Sequence, residues 1–137
     1  MNLRPSLEEV EHTADRAFCV RGQDLAELLG NAARAMAALD GEFPYSERFI
    51  RRVIEVDGRD RETLLVNWLN EILYLEQTHH EFYDHVLLSN VTESHLHAQL
   101  YGRLFASSAT SIKAVTFHNL EVKETSEGLE ATLVVDV

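Results

Sequence analysis

The sequence predicts an α+β fold in which two amphipathic helices pack on a largely antiparallel β-sheet. Three observations carry that expectation: two stretches have a helical apolar period, several alternate like strands, and one strand–glycine–aspartate–helix junction occurs twice. With 137 residues, 45% of them apolar and 26% charged, the chain fits a single domain over 1–137 that needs no disulfide or metal to hold its core.

Residues 17–20 form the first apolar strand. In the first helix Leu25, Leu28, Leu29, Ala32, Ala33, Met36 and Leu39 recur at three- and four-residue spacings, with Asp24 and Glu27 as its start signal and Gly41 as its stop. A second helix runs over about 62–76, capped by Asp60, and buries Leu64, Leu65, Trp68, Leu69, Ile72 and Leu73. Strands are expected at 49–56, 82–91, 95–101, 112–123 and 129–137, with "TSEG" from Thr125 as a hairpin connection.

The segments "VRGQDLAELLGN" from Val20 and "VDGRDRETLLVN" from Val56 share Val, Gly, Asp, Leu-Leu and Asn in register, 36 residues apart. Two readings stay open here: a duplicated strand–helix unit, or a pattern to which any capped strand–helix junction drifts. Gly22 and Gly58 stand alone, so neither junction is a phosphate-binding loop.

Twenty-three acidic residues against twelve basic give a net charge of −11, which repels phosphate backbones and argues against direct nucleic-acid binding. Neither a signal-like segment nor a long apolar run is present, so the expected location is cytoplasmic, with no membrane partner. Cys19, the one cysteine, reads as a buried, inert thiol.

Asp136 is the anomaly. It lies in "LVVDV", where an ionised carboxylate costs several kcal/mol unless it is paired, bound to a metal, or solvated by fraying. Asp15 stands just ahead of the first strand, and if the first and last strands are neighbours the two carboxylates meet at one end of the sheet. That would make a hard, oxygen-rich site for Ca²⁺ or Mg²⁺, with Glu11 or His12 nearby; carboxylates more than about 10 Å apart could not share the ion.

The histidines give no zinc motif. In "HHEFYDH" His80 and His85 are five residues apart, where a helical HExxH needs four, and His95 and His97 are what a half-buried strand shows to solvent. In "IKAVTFH" a period of two puts Lys113 with Val115 and His118 with Ala114, so the two do not share a face. No nucleophile elbow or Cys–His pair suggests a catalytic residue.

Taken in order, "EHTADRAFCVRGQDLAELLGNAARAM", "LLVNWLNEILYL", "IKAVTFH" and the closing "VVDV" resemble the archease family over nearly the whole chain from Glu11 to Val137. The resemblance implies a non-catalytic, chaperone-like activator. Its partner is a GTP-dependent, metal-dependent RNA ligase of tRNA splicing and RNA repair, which it helps to be guanylylated on its active-site histidine and to turn over repeatedly. It further implies that Asp15 and Asp136 form a metal-binding tip for a divalent cation, Ca²⁺, Mg²⁺ or Mn²⁺, and that Lys113 takes part. Glu11, His12 and His118 fall at positions suited to supporting or partner-contact roles, and the GTP belongs to the partner. One departure stands out: many members carry Gly-Glu shortly before the lysine element, where this chain has Gly102-Arg103. The rival from another class is a metal-dependent hydrolase using Asp15 and Asp136 to activate water, and a third reading is a structural Ca²⁺ site with no partner.

Overall fold

The computed structural model describes residues 15–40, 45–105, 112–116 and 120–137. The elements run β1 (Asp15–Gly22), α1 (Leu25–Asp40), β2 (Tyr45–Asp57), α2 (Arg61–His79), β3 (Glu81–Ser89), β4 (His95–Phe105), β5 (Ala114–Thr116), β6 (Val122–Thr125) and β7 (Gly128–Asp136). This is the expected α+β class, with one change of plan: the strands divide into two antiparallel sheets. One has the order β1-β7-β5, with β6 also on β7, and the other β2-β4-β3. The single strand expected over 112–123 is instead two short ones, β5 and β6, that share the same edge of β7. Their mixed alternation fits no single pleat.

The two helices begin as the sequence requires. The Asp24 carboxylate accepts from the Glu27 N–H at 2.8 Å, and the Glu27 carboxylate accepts from the Gln23 N–H at 2.7 Å. Asp60 accepts from the Thr63 N–H at 2.8 Å, and that bond holds its carboxyl below the usual carboxylate range. The end of α2 falls at His80, in the left-handed conformation with φ 56°, which breaks up the "HHEFYDH" histidines between a helix end and a strand. The expected stop of α1 at Gly41 lies outside the described residues.

The 36-residue repeat extends to individual bonds. The Asn31 amide donates to the Arg21 carbonyl at 2.7 Å, and Asn67, its counterpart, donates to the Asp57 carbonyl at 2.8 Å. The Leu28 N–H donates to the Asp24 carbonyl and the Leu64 N–H to the Asp60 carbonyl. A Cβ on Gly22 would lie 2.3 Å from the Leu28 nitrogen, and one on Gly58 would lie 2.4 Å from the Leu64 nitrogen. Only glycine lets the strand end approach the first helical turn so closely in either place. Each unit continues into an antiparallel hairpin whose last strand pairs back with the first, β1 with β7 and β2 with β4. The second unit is inserted whole between α1 and β5 of the first.

Both helices pack into a common core. The α1 helix lies on β1 and reaches β3 of the other sheet, while α2 contacts β2, β3 and β5. Phe18, Leu28, Leu29, Leu64, Trp68, Leu69, Leu96, Leu100 and Leu133 are fully buried there. Trp68 donates its indole N–H to the Leu29 carbonyl at 2.9 Å, tying the helices together without leaving a buried donor unmet. Beneath β2, Arg52 clamps Glu81 at 2.7 and 3.0 Å, and the Tyr83 hydroxyl donates to the same carboxylate. Burial pushes the Glu81 carboxyl up, but the bonds from Arg52 and Tyr83 outweigh it and leave the group below its ordinary value. Burial, then the bond to Glu81, raises the Tyr83 hydroxyl, so it stays a donor.

Candidate functional site

Register decides where the aspartates stand. In the β1–β7 ladder Asp15 faces Asp136, and on the other side of β7 Asp136 faces Ala114 of β5. Directly opposed residues in an antiparallel pair have Cα atoms about 4.5–5.5 Å apart, well inside the limit for sharing one ion. Residue 15 is placed by its backbone alone.

The anomaly of Asp136 has a simple resolution. Along β7 the residues Ala131, Leu133 and Val135 are buried, whereas Thr132 is exposed and Val134 and Asp136 are half-buried, so the aspartate shares the pleat face turned away from the core. It is neither a buried charge nor part of a fraying end. Strands on both sides hold its backbone, and its carbonyl accepts the Lys113 N–H at 2.7 Å.

That bond brings Lys113 to the same end of the sheet. The expected pairing of Lys113 with Val115 on one face fails, because Lys113 precedes β5: Ile112 and Val115 are buried while the lysine is exposed. What fixes β5 here is α2. The Asn70 side chain donates to the Val115 carbonyl at 3.0 Å and accepts the Val115 N–H at 2.7 Å, imitating a neighbouring strand. Gln77 donates to the Ile112 carbonyl at 3.1 Å, and Glu62 accepts the Val122 N–H at 2.8 Å. Sequence reasoning passed over Asn70; its only signal was an amide on a helix between the buried Leu69 and Ile72.

Glu11, His12 and His118 lie outside the described residues. Arg103, the departure from the family pattern, stands in β4 of the other sheet with its guanidinium 4.6 Å from the centre of the Phe49 ring, not in the sheet of Asp136. Cys19 is half-buried on the outward face of β1, not fully buried as expected. His95 and His97 pair with Asp57 and Glu55, with His95 Nδ1 2.7 Å from Asp57. Among the described residues no cluster of three or more His, Cys, Asp or Glu could hold a metal ion. A recess at the same end of the sheet, on its core side, is lined among the described residues by Arg16, Leu39, Ile112, Val135 and Val137.

Two nested strand–helix–hairpin units, with paired aspartates and a lysine at one sheet end, define a small α+β protein of archease architecture. The archease protein family model matches residues 7–137, and the chain belongs to that family. It is 36% identical to the protein archease of Archaeoglobus fulgidus, over 93% of this chain and 96% of that one. It is 33% identical to that of Methanosarcina barkeri, over 95% and 94%. The solution structure of Methanobacterium thermoautotrophicum protein 1598 superposes with a TM-score of 0.67 at 28% identity, covering 95% of this chain and 97% of that one. The fold is also that of the Thermotoga maritima crystal structure of an archease described as a possible chaperone, with TM-score 0.69, 21% identity, and 100% and 99% coverage. No helix among the described residues is long and apolar enough to cross a membrane.

Proposed function

We propose that this chain is a non-catalytic, chaperone-like activator of a GTP-dependent RNA ligase of tRNA splicing and RNA repair, acting in the cytoplasm through the end of the sheet that carries Asp15, Asp136 and Lys113. The observation that carries the reading is the register: residues 121 positions apart in sequence face each other across β1 and β7, with the lysine backbone bonded to the second aspartate. Membership in the archease family supports this reading, and the ligase partner is what the family resemblance implies. Two carboxylates are suitable ligands for Ca²⁺, Mg²⁺ or Mn²⁺, but they offer at most four of the roughly six to eight oxygens Ca²⁺ takes. Backbone, water or the partner fills the rest, as suits a tip that works inside another protein's site. GTP is consumed by the ligase, and its RNA is held there too.

A hydrolase reading needs a general base beside the metal in a concave pocket, and no cluster of three or more His, Cys, Asp or Glu that could hold a metal ion is found among the described residues. The deciding experiment is multiple-turnover ligation by the cognate ligase with stoichiometric activator. Asp15→Ala and Asp136→Ala should each reduce turnover at least tenfold, to near the rate of the ligase alone, while keeping the wild-type circular dichroism. Full activation by either variant rejects the tip, and metal-dependent hydrolysis by the isolated chain rejects the non-catalytic role.

A further inference from the structure

The open face of the β2-β4-β3 sheet is unlike the rest of the surface. Three of the four large hydrophobic residues exposed among the described residues lie on it, Phe49 at 72%, Val53 at 51% and Leu87 at 48%. Register arranges the face in rows across the three strands. The central row is Val53, Gln99 and Leu87; on one side stand Arg51, Tyr101 and His85, and on the other Glu55, His97 and Ser89. Arg51 bonds to Gln99 at 3.2 Å and lies 6.0 Å from the centre of the Tyr101 ring, but it makes no ion pair among the described residues. Among the described residues Glu55 lies within ion-pair distance of the imidazoles of His95 and His97, at 3.4 and 3.8 Å. One end of the face therefore carries an arginine and the other a carboxylate, on either side of an apolar middle.

A surface patterned in this way is complementary to itself. Rotation by a half turn about an axis in the plane of the sheet, along the central row, lays Val53 on Val53 and Leu87 on Leu87 of a second copy. The same rotation brings Arg51 of each copy over Glu55 of the other, and Tyr101 over His97. We propose that this face is the interface of a two-fold homodimer formed by sheet-on-sheet packing, with Val53 and Leu87 at its centre and two symmetric Arg51–Glu55 pairs at its rim. Three strands about 4.8 Å apart and about nine residues long make a face of about 15 by 30 Å. That is roughly half of the 800 Å² per partner of a standard stable interface, so the dimer is transient and concentration-dependent. It lies in the opposite sheet from the aspartate tip and is independent of any ligase role.

Sedimentation velocity of the full chain tests this, from about 1 µM to about 1 mM, the weak end of the affinity range. The expected result is a monomer–dimer equilibrium. Val53→Arg should abolish it, and Arg51→Glu should raise the dissociation constant about tenfold, the effect of about 1.4 kcal/mol. Restoring complementarity with Arg51→Glu together with Glu55→Arg should bring it back to within about threefold of wild type. These substitutions are at exposed positions, and circular dichroism checks that each variant folds. A wild-type chain that stays monomeric throughout overturns the proposal and leaves the face to a different partner. A dimer indifferent to Val53→Arg, or a charge-swapped variant that stays monomeric, overturns it as well.

Discussion

In the first unit Asp24 caps the helix, Asn31 ties it to the end of its strand and Gly22 lets the two touch; in the second, Asp60, Asn67 and Gly58 do the same work with bond lengths that agree within about 0.1 Å. Their outward faces share nothing of this. The facing pair Asp15–Asp136 of the first sheet has as its counterpart Arg51–Tyr101 of the second, a carboxylate pair in one place and a cation and ring in the other. At the next equivalent position but two, Arg21–Glu130 is answered by Asp57–His95, with the carboxylate moved to the other strand of the pair. The joints agree because backbone approach admits few solutions, whereas an outward side chain answers only to solvent and partners. The two outward faces have accordingly diverged in chemistry while the scaffold beneath them has not.

The sharpest break in this parallel is Arg52, which clamps the buried Glu81 carboxylate; its counterpart 36 residues earlier, Arg16, is exposed. Arg52→Met strands the Glu81 charge in the interior and should cost about 4 kcal/mol at neutral pH, read by urea unfolding. The sign of its pH dependence follows from the lowered Glu81 carboxyl. In the wild type its contribution is present above the unfolded value of about 4.3 and is lost as pH falls through the lower folded value. In the variant burial raises that carboxyl instead, so the difference between the two proteins should shrink steadily toward pH 3.

Gly22→Ala and Gly58→Ala come next. Each new methyl meets helix backbone at under 2.5 Å, and backbone cannot swing aside. The expected loss is about 3 kcal/mol for each, and nearly equal for the two. A large disparity in the urea midpoints would mean that the units are alike only in outline.

The scaffold was largely legible in the sequence because its signals are local. Asp24, Asp60, the leucine stripes and "TSEG" each act within a few residues, and helices, caps and hairpin appear where they point. The division into two sheets was not legible, since strand partners are chosen by long-range packing that no period records. The strand expected through 112–123 failed for a related reason: β5 and β6 borrow backbone partners from α2, through Asn70, Gln77 and Glu62, and so need not be one continuous strand. Asp136 was conspicuous only because its pleat face was unknown. Once β7 is seen to bury Ala131, Leu133 and Val135, an outward aspartate is unexceptional as structure.

Asn70 distinguishes the units in another way, since it completes the β1-β7-β5 sheet from outside it. Asn70→Ala leaves the Val115 N–H and carbonyl without their partner and should cost about 2 kcal/mol. Because Asn70 bonds to β5 directly, hydrogen exchange at Val115 should rise by more than exchange across β4. Equal changes in both sheets would mean that Asn70 supports the core generally.

The smallest effects belong to Asn31 and Asn67, and they test the repeat most finely. Asn31 is half-buried and Asn67 exposed, and each amide donates to a carbonyl at the end of its own strand, so Asn→Ala removes one hydrogen bond at the surface and should cost about 1 kcal/mol. The two positions are not quite alike: the Asn31 oxygen also accepts from Arg34 at 2.8 Å, whereas no such partner is seen for the Asn67 oxygen among the described residues. Asn31→Ala should therefore exceed Asn67→Ala by a few tenths of a kcal/mol, and Arg34→Ala should erase the difference. If the gap survives in the Arg34→Ala background, the inequality lies in the strand ends rather than in the helix, and the two joints are less alike than their bond lengths indicate.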